Sequence, residues 1–447
     1  MIFPYINDPQ IFFKVDIILI NLDAYISENK NKLHILFCLK YIYIDLYKAL
    51  SALPKWERGF HIFWLLGPFI LLIERSPADF WLSVLALTFV IRSIIKRDKT
   101  WLKPFWVKAG FAFWFWCLFT SAISYDPAYS IGEALVWFRF PLFAMATAFW
   151  LATDKRLLYA MLISTGIGLV IMCGILTAEI IIVGTQHGRL SWPYGDLVPG
   201  NYVAKVGLPA FTCMVAIAVS LKGRVAGVAG LIALLSMVIS VMAGERINFL
   251  IRACGGMLAG LVWKPRLNRY IALVVVEVLA VVLVLTTDAD MAKRYKDEFI
   301  AGAFYFETSG WLHAINGGWI IAKDNILFGI GTGNFRNLSP ILLDGVPYTL
   351  IQPHPHNYYI QMLCETGLIG FILGVMFLWS IIWTNFRDSF KNRENVFVAT
   401  AWVIPFGLFW PIATSADFFG QWNNIFLWSA VALALASRNL IPQNHVA

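Results

Sequence analysis

Two histidines stand in a proline-punctuated stretch, Pro-His-Pro-His-Asn, that runs from Pro353 to Asn357 and directly precedes a long apolar stretch. The side-chain oxygen of Asn357 can cap a helix beginning there, because the backbone N–H groups of a first turn lack helical partners. His356 would then lie beside a helix N-terminus, whose partial positive charge favours an anionic ligand nearby. An imidazole titrates near neutral pH and can accept a proton from a hydroxyl group, so His356 is the predicted general base. His354 would position His356 or contact a substrate, unless it is a solvated loop histidine.

Three cations form a second candidate group. Arg189 lies in a polar stretch, Lys205 follows one turn into the next apolar stretch, and Arg246 lies between two apolar stretches. An arginine at such a position can simply extend its side chain to lipid headgroups. Guanidinium groups also bind phosphate oxygens in pairs, so these three residues together predict a pocket for a diphosphate.

Glu365 lies a little over two turns into the predicted helix that follows Asn357. Its carboxylate is either a partner of the histidines or a buried residue of helix packing. The histidines have no cysteine or carboxylate neighbours at the spacing typical of metal ligands, and six scattered cysteines form no Cys-x-x-Cys pair. We therefore predict neither a metal nor a cofactor.

The composition is that of a membrane protein. Of 447 residues, 59% are hydrophobic and 14% are charged, with a mean hydropathy of +0.68. The net charge of +8 and the pI of about 9.1 could indicate a nucleic-acid partner, but the basic residues lie in short loops between apolar stretches. That distribution is typical of a protein surrounded by membrane lipids, so no nucleic acid is expected.

Apolar stretches of roughly 20 residues match the thickness of a bilayer and predict an all-α polytopic fold with about twelve transmembrane helices. The predicted spans are Gly59–Ile73, Phe80–Ile95, Pro104–Ile123, Ala134–Ala152, Leu157–Val183, Asn201–Leu221, Val225–Ala243, Ile247–Trp263, Tyr270–Thr286, Asn357–Trp383, Val396–Thr414 and Phe418–Ala436.

The spans divide the chain into four regions. Residues 1–56 are a predicted cytoplasmic or interfacial extension, and residues 57–286 hold the first nine spans. Residues 287–356 form one large outer loop with short helices, and residues 357–447 hold the last three spans and a cytoplasmic tail.

Lysine and arginine in the short loops predict the orientation. Fifteen lie on one side of the predicted spans and three on the other, which makes the richer side cytoplasmic. The histidines, Arg189 and Arg246 all lie on the outer side. Within the outer loop, Trp311–Lys323 has the pattern of an amphipathic helix that ends at Asp324, and the glycines from Gly329 to Gly333 predict a tight turn before a short helix.

Two motifs resemble a known family. His356-Asn357, nine residues, and then Gly-Leu-Ile-Gly at 367–370 are similar to the signature of the O-antigen ligase and polymerase superfamily of bacterial inner membranes. The stretch Lys-Asp-Asn-Ile-Leu-Phe-Gly-Ile-Gly-Thr-Gly-Asn-Phe at 323–335 resembles that family's loop before the histidine. The resemblance extends roughly from Leu157 to Trp383.

The resemblance implies a GT-C-like, metal-independent, inverting glycosyltransferase with its active site on the periplasmic face. Its donor would be a glycan on undecaprenyl diphosphate, and its acceptor a sugar hydroxyl of the lipid A–core oligosaccharide in lipopolysaccharide biosynthesis. The family histidine corresponds to His356, and the two family arginines correspond to Arg189 and Arg246.

Other functions stay open. A polymerase of the same superfamily would extend the glycan on its carrier, and a protein O-oligosaccharyltransferase would use a serine acceptor. A polysaccharide or lipid transporter is a different class. It would be expected to carry paired midplane charges and inverted repeats, whereas this sequence has few charges within its spans and no repeat.

Overall fold

The computed structural model describes residues 43–195, 199–297, 309–411 and 416–442, and within these ranges all regular structure is helical. Most of the predicted extension 1–56, including Cys38, lies outside the described residues. The chain divides into two compact units, residues 1–61 and 62–447. Apart from the helices that begin before residue 62, everything below concerns the second unit.

A helix covers residues 43–51, and further helices follow through the described residues. In chain order they are α1 (Lys55–Leu65), α2 (Gly67–Ile70), α3 (Arg75–Ile95), α4 (Phe105–Ala122), α5 (Pro127–Trp137), α6 (Arg139–Ala146), α7 (Lys155–Ile182), α8 (Pro199–Asn201), α9 (Leu208–Ser220), α10 (Arg224–Met242), α11 (Arg246–Val262), α12 (Leu267–Thr287), α13 (Ala289–Ala292), α14 (Gly310–Asp324), α15 (Phe335–Leu342), α16 (Tyr358–Lys391), α17 (Val396–Thr400), α18 (Val403–Leu408) and α19 (Gln421–Ala436). Turns of π-helix cover Thr147–Leu151, Tyr202–Val206 and Lys293–Asp297, and 3₁₀ turns cover Thr100–Leu102 and Ser437–Leu440.

Six of the described helices are long and apolar enough to cross a membrane, and one bent pair would make a seventh. These six are α3, α5 continued through α6 to Leu151, α7, α10, α12 and α16, and the bent pair is α8 with α9. The structure therefore confirms an all-helical chain with several apolar spans. The figure of twelve stays a prediction.

Three of the spans predicted as continuous helices are interrupted in the structure, so the prediction of continuous helices is wrong for them. The first is divided at Leu66, the sixth bends by 56° before α9, and the eleventh is divided into α17 and α18. A proline lies in the first turn of α2 and of α9. Because proline lacks an N–H and is favoured only in a first turn, each of these helices begins anew.

Helix α16 is longer than the predicted span Asn357–Trp383, since it runs on to Lys391. It contains one non-helical residue, Gly367, where φ is +68°. Helix α4 packs along α16, and α14 packs across its first turns. The predicted helix of the outer loop is confirmed as α14, and the predicted short helix after the glycines is confirmed as α15.

Candidate active site

The histidine turn, residues 353–357, is fixed to α16 by the cap that the sequence predicts. The Asn357 side-chain oxygen accepts backbone N–H groups of Tyr359 at 3.0 Å and Ile360 at 3.1 Å. Its amide group donates to the carbonyl of Pro411 at 2.8 Å, which ties the turn to the segment after α18. His356 has a φ of +55°, a left-handed conformation that costs a non-glycine residue roughly 1–2 kcal/mol. The cap and this backbone conformation together set the direction of the imidazole.

His354 lies directly against His356. The two ring centroids are 4.3 Å apart, and the rings are inclined by 57°. Burial lowers the pKa of His354 to about 4; His356 and Arg336 act in the same direction, and Asp417 opposes them. His354 is therefore neutral at pH 7, and its buried Nε2 has no hydrogen-bond partner among the described residues. That His354 positions His356 stays a prediction, and the two rings are in contact.

Gly367 breaks the hydrogen-bond series of α16, and the chain from 326 to 335 fills the break. The carbonyls of Cys364 and Glu365 accept the N–H groups of Ile330 and Gly331, each at 2.9 Å. In return, Leu368 donates its N–H to the carbonyl of Ile326 at 2.7 Å. We call residues 329–333 the glycine loop. Its backbone lies on the helix as a short ladder, because backbone groups freed by the break must find partners.

Glycines are required at this contact. Gly329, Gly331 and Gly367 all have positive φ, a conformation that favours glycine. A β-carbon at Gly329 would overlap the backbone of Glu365, and one at Gly331 would overlap the side chain of Ser124. The spacing of glycines in the two motifs thus follows from the close approach of two backbones.

Glu365 completes the same contact with its side chain. The buried carboxylate accepts the N–H of Gly333 at 2.7 Å, the N–H of Phe335 at 3.3 Å and the amide of Gln361 at 3.3 Å. These three hydrogen bonds go to the glycine loop, to the start of α15 and to Gln361 rather than to a histidine, so they agree with the alternative of a buried residue of helix packing. Glu365 holds the glycine loop on the helix that carries the histidine turn.

A second side-chain network lies beside the first and was not predicted. Gln361 donates to Asp417 at 2.6 Å, and Asp417 forms an ion pair with Arg336 at 3.1 Å. Gln361 also accepts the backbone N–H of Phe418 at 2.8 Å. This network links α16, the start of α15 and the turn before α19. In the sequence, the signal was a polar glutamine in the middle of an apolar stretch.

The outer face of the histidine turn rests on α14. A β-carbon on Gly318 would lie 2.7 Å from Cβ of Pro355 and 2.6 Å from Cγ2 of Ile360. This glycine therefore lets α14 approach the turn more closely than any larger residue would allow. Helix α14 therefore contacts the histidine turn at Pro355, in addition to the contact that α16 makes through the Asn357 cap.

On the cation side, the loop that carries Arg189 is held by a buried carboxylate. Glu179, near the end of α7, accepts the N–H and O–H of Ser191 at 2.9 and 3.0 Å and the N–H of Trp192 at 2.9 Å. Thr185 donates to Asp288 at 2.8 Å, which joins the start of the loop to the end of α12. The loop therefore has two fixed ends with Arg189 between them.

The loop that carries Arg189 lies against the turn that precedes Arg246. A β-carbon on Gly244 would lie 2.7 Å from Cγ of Arg189, so the Arg189 loop packs on the turn that leads into α11. Arg246 is the first residue of α11.

A third arginine joins them from the π-helical turn after α13. Arg294 donates its Nε–H to the carbonyl of Gly244 at 2.5 Å, and the hydroxyl of Tyr295 donates to the carbonyl of Val241 at 3.0 Å. Burial raises the pKa of Tyr295; Arg294, Arg246 and Arg189 lower it and Glu245 raises it, so all four charged residues are close enough to act on this hydroxyl. We call Arg189, Arg246 and Arg294 the cationic cluster. The sequence shows Arg294 in a charged run, but a run alone does not indicate which residue turns inward.

Lys205 is linked by hydrogen bonds to the residue that follows the histidine turn. It is buried in the π-helical turn before the bend, and its ammonium group donates to the side-chain oxygen of Asn423 in α19. The Asn423 amide then donates to the hydroxyl of Tyr358 at 2.7 Å, and Tyr358 follows the histidine turn by one residue. Nearer the cationic cluster, Glu245 accepts the side-chain amides of Asn201 at 3.4 Å and of Asn248. Two hydrogen-bonded sets are thus observed, one around Glu245 at the start of α11 and one from Lys205 through Asn423 to Tyr358 at the start of α16.

Arg252 is a buried charge that sequence reasoning missed, because it lies inside an apolar stretch. Its guanidinium donates to the carbonyl of Val203 at 2.6 Å and to Ser236 at 2.5 Å, and it lies 3.8 Å from the centre of the Phe211 ring. The carbonyl of Val203 belongs to the π-helical turn that carries Lys205. Arg252 therefore stabilises the bent segment from inside the helical bundle.

Comparison with known families supports the resemblance seen in the sequence. Residues 231–375 match the family model described as O-antigen ligase, so the chain carries a domain of the O-antigen ligase superfamily. No curated protein matches the chain. The matched range contains Arg246, Arg294, the glycine loop, Glu365 and the histidine turn. It does not include Arg189, Lys205 or Asn423.

Proposed function

We propose that this protein, which carries an O-antigen ligase domain, is a ligase that transfers a glycan from undecaprenyl diphosphate to a sugar hydroxyl of lipid A–core. The observation that carries the proposal is that Arg189, Arg246 and Arg294 gather at the turn before α11, while the hydrogen bonds from Lys205 through Asn423 to Tyr358 end beside the histidine turn. The proposal assigns the diphosphate to the first of these regions and the hydroxyl proton to the second.

The cationic cluster binds the diphosphate of the donor. Three guanidinium groups offer paired N–H donors to phosphate oxygens, and the charge they stabilise grows as the sugar–diphosphate bond breaks. Arg189 and Arg246 are the predicted ligands, and Arg294 is added by its position beside both. Lys205, hydrogen-bonded to Asn423, lies between this site and the acceptor and completes the cationic environment.

His356 acts as the base. The acceptor hydroxyl gives its proton to the imidazole as its oxygen forms a bond to the anomeric carbon. The bond from that carbon to the diphosphate oxygen breaks, so a single displacement inverts the anomeric centre. His354 and Asn357 orient His356, and Glu365 supports the helix and loop on which it rests. Positioning two lipid-held substrates against these groups supplies much of the remaining rate enhancement.

The proposal includes a location and an architecture. The cationic cluster and the histidine turn lie on the side of the chain that is poor in short-loop lysine and arginine, which supports an active site on the periplasmic face of the inner membrane. A twelve-span, GT-C-like arrangement with the catalytic groups in one outer loop would fit lipid-linked substrates.

The test is O-antigen display in a bacterial strain that lacks its own ligase. The strain is complemented with the native chain, with His356→Ala, or with His313→Ala, a matched change of another outer-loop histidine. We expect a ladder of capped lipopolysaccharide with the native chain and with His313→Ala, and none with His356→Ala at equal membrane levels.

Three outcomes would redirect the proposal. A ladder from His356→Ala equal to that of the native chain would reject His356 as the base. No ladder from any variant, together with longer glycans on the carrier, would favour the polymerase. Glycan on a serine-containing peptide would favour the protein O-oligosaccharyltransferase.

A further inference from the structure

A groove on the opposite, lysine- and arginine-rich side of the molecule has no place in the proposed reaction. It encloses about 560 Å³ where the start of α4 meets the last turns of α16. We call it the Trp379 groove, and its walls include Phe105, Trp379, Trp383, Arg387 and Arg438. The cation-rich turn after α3, the end of α16 and the 3₁₀ turn after α19 all lie at this end of the chain's spans.

The apolar part of the groove faces away from the protein interior. Trp379 and Trp383 are 57% and 54% exposed, and Phe105 is 61% exposed. The two tryptophans are four residues apart, so they lie on the same face of α16. Indole rings are favoured at membrane–water interfaces, where their apolar part meets acyl chains and their N–H meets headgroups. This wall suits the upper part of a lipid chain.

The polar end of the groove carries excess positive charge. Arg387 and Arg438 come from segments 51 residues apart in the sequence, yet both contact the single carboxylate of Asp388, at 3.2 and 3.5 Å. Their side chains remain 46% and 39% exposed, whereas that of Asp388 is 10% exposed. One carboxylate neutralises one of the two cations. The remaining charge and several N–H donors face the groove.

We propose that the Trp379 groove binds one anionic phospholipid of the cytoplasmic leaflet, with its phosphodiester on Arg387 and Arg438 and an acyl chain along Trp379 and Trp383. Basic pockets between transmembrane helices on the cytoplasmic side are a recurring type of anionic-lipid site. Asp388 holds the two guanidinium groups at a fixed separation, so the site is formed before the lipid arrives. The site is separate from the proposed transfer reaction and does not depend on it.

The test uses the full chain in nanodiscs containing equal amounts of phosphatidylglycerol and phosphatidylcholine, with co-purified lipid counted by native mass spectrometry. The native chain is compared with Arg387→Gln/Arg438→Gln. The matched control, Lys222→Gln/Arg224→Gln, removes two exposed cations from the same side of the molecule. We expect the native chain and the control to retain phosphatidylglycerol preferentially. The double groove variant should lose roughly 25-fold in that preference, about a factor of five for each charge-assisted hydrogen bond to the phosphodiester, which exposed cations outside the groove do not make.

Three results would overturn the proposal: no lipid preference in the native chain, an unchanged preference in the groove variant, or an equal loss in the control. If the groove variant does not fold, Arg387→Lys/Arg438→Lys keeps the charge and must retain the preference. The measurement on the native chain tests the proposal without any variant, because a protein with no preference for phosphatidylglycerol has no such site.

Discussion

The cationic cluster and the histidine turn are held in place by different kinds of interaction. The loops of the cationic cluster are anchored by side chains, such as the Glu179 carboxylate on Ser191 and Trp192. The histidine turn is also fixed by a side chain, the Asn357 cap, but the helix that follows it has in addition a backbone ladder with the glycine loop. A diphosphate tolerates small shifts among several cations, whereas a single base must lie within hydrogen-bond distance of one hydroxyl. The region that must position the single imidazole of His356 therefore has the larger number of backbone constraints.

The largest effect is expected where the backbone ladder has no space for a side chain. Gly331→Ala would place a methyl group on Ser124 at a φ of +93°, so we expect loss of folded protein and at least about 100-fold less transfer. Gly345→Ala is the matched control, because Gly345 also has a positive φ but has open space around it. Folded yield in detergent and O-antigen display measure the difference. Equal effects at the two glycines would contradict the importance of the ladder.

A smaller loss is expected at the carboxylate that supports the ladder. In the native protein, the Glu365 carboxylate accepts three N–H donors. Glu365→Gln would point an N–H group of its own at these donors, so the free energy of unfolding should fall by about 1–3 kcal/mol. Thermal unfolding in nanodiscs gives the loss. The control is Glu394→Gln, which removes an exposed ion pair with Lys264 and should change stability little. A Glu365→Gln protein as stable as the native chain would remove the supporting role.

The cationic cluster should respond in binding more than in stability. Arg189→Lys and Arg246→Lys keep the charge but lose the paired donors, and each should weaken donor binding by about tenfold. If both residues hold one diphosphate, the double variant should differ from the product of the single effects. Donor binding by purified protein in detergent completes this cycle. Strict additivity would indicate that the arginines act on separate ligands.

The smallest effect concerns pH. Because burial lowers the pKa of His354 from 6.5 to about 4, the folded protein binds fewer protons than the unfolded chain between these values. The stability that this neutral histidine contributes is present above pH 6.5 and is lost as pH falls toward 4. His354→Asn should therefore show a shallower decline of unfolding temperature between pH 6.5 and 5. An unchanged decline would assign the acid sensitivity to other groups.

Local features could be predicted from the sequence and non-local ones could not. The Asn357 cap and α14 depend on residues a few positions apart, and both were predicted. The role of Glu365 depends on Gly333, more than thirty positions earlier, so the sequence left two alternatives. Arg252 appeared as part of an apolar stretch because its partner, the Val203 carbonyl, belongs to another helix.

The same reason explains the interrupted spans. Hydropathy shows that a stretch is apolar, but it does not show where a carbonyl freed by a bend finds its partner. The bend before α9 leaves Val203 to be satisfied by Arg252, and the break at Gly367 is satisfied by the glycine loop. Each interruption therefore depends on a residue from elsewhere in the chain, which no local pattern contains.

The most direct measurement separates donor binding from transfer in purified protein. Wild type, His356→Ala and Arg246→Ala are given undecaprenyl-diphosphate glycan and lipid A–core, and both donor binding and transferred glycan are measured. We predict that His356→Ala binds donor as the wild type does but transfers at least about 100-fold more slowly. Arg246→Ala should lose donor binding. Wild-type transfer by His356→Ala, with Arg246→Ala binding donor normally, would contradict the division of roles between the two regions.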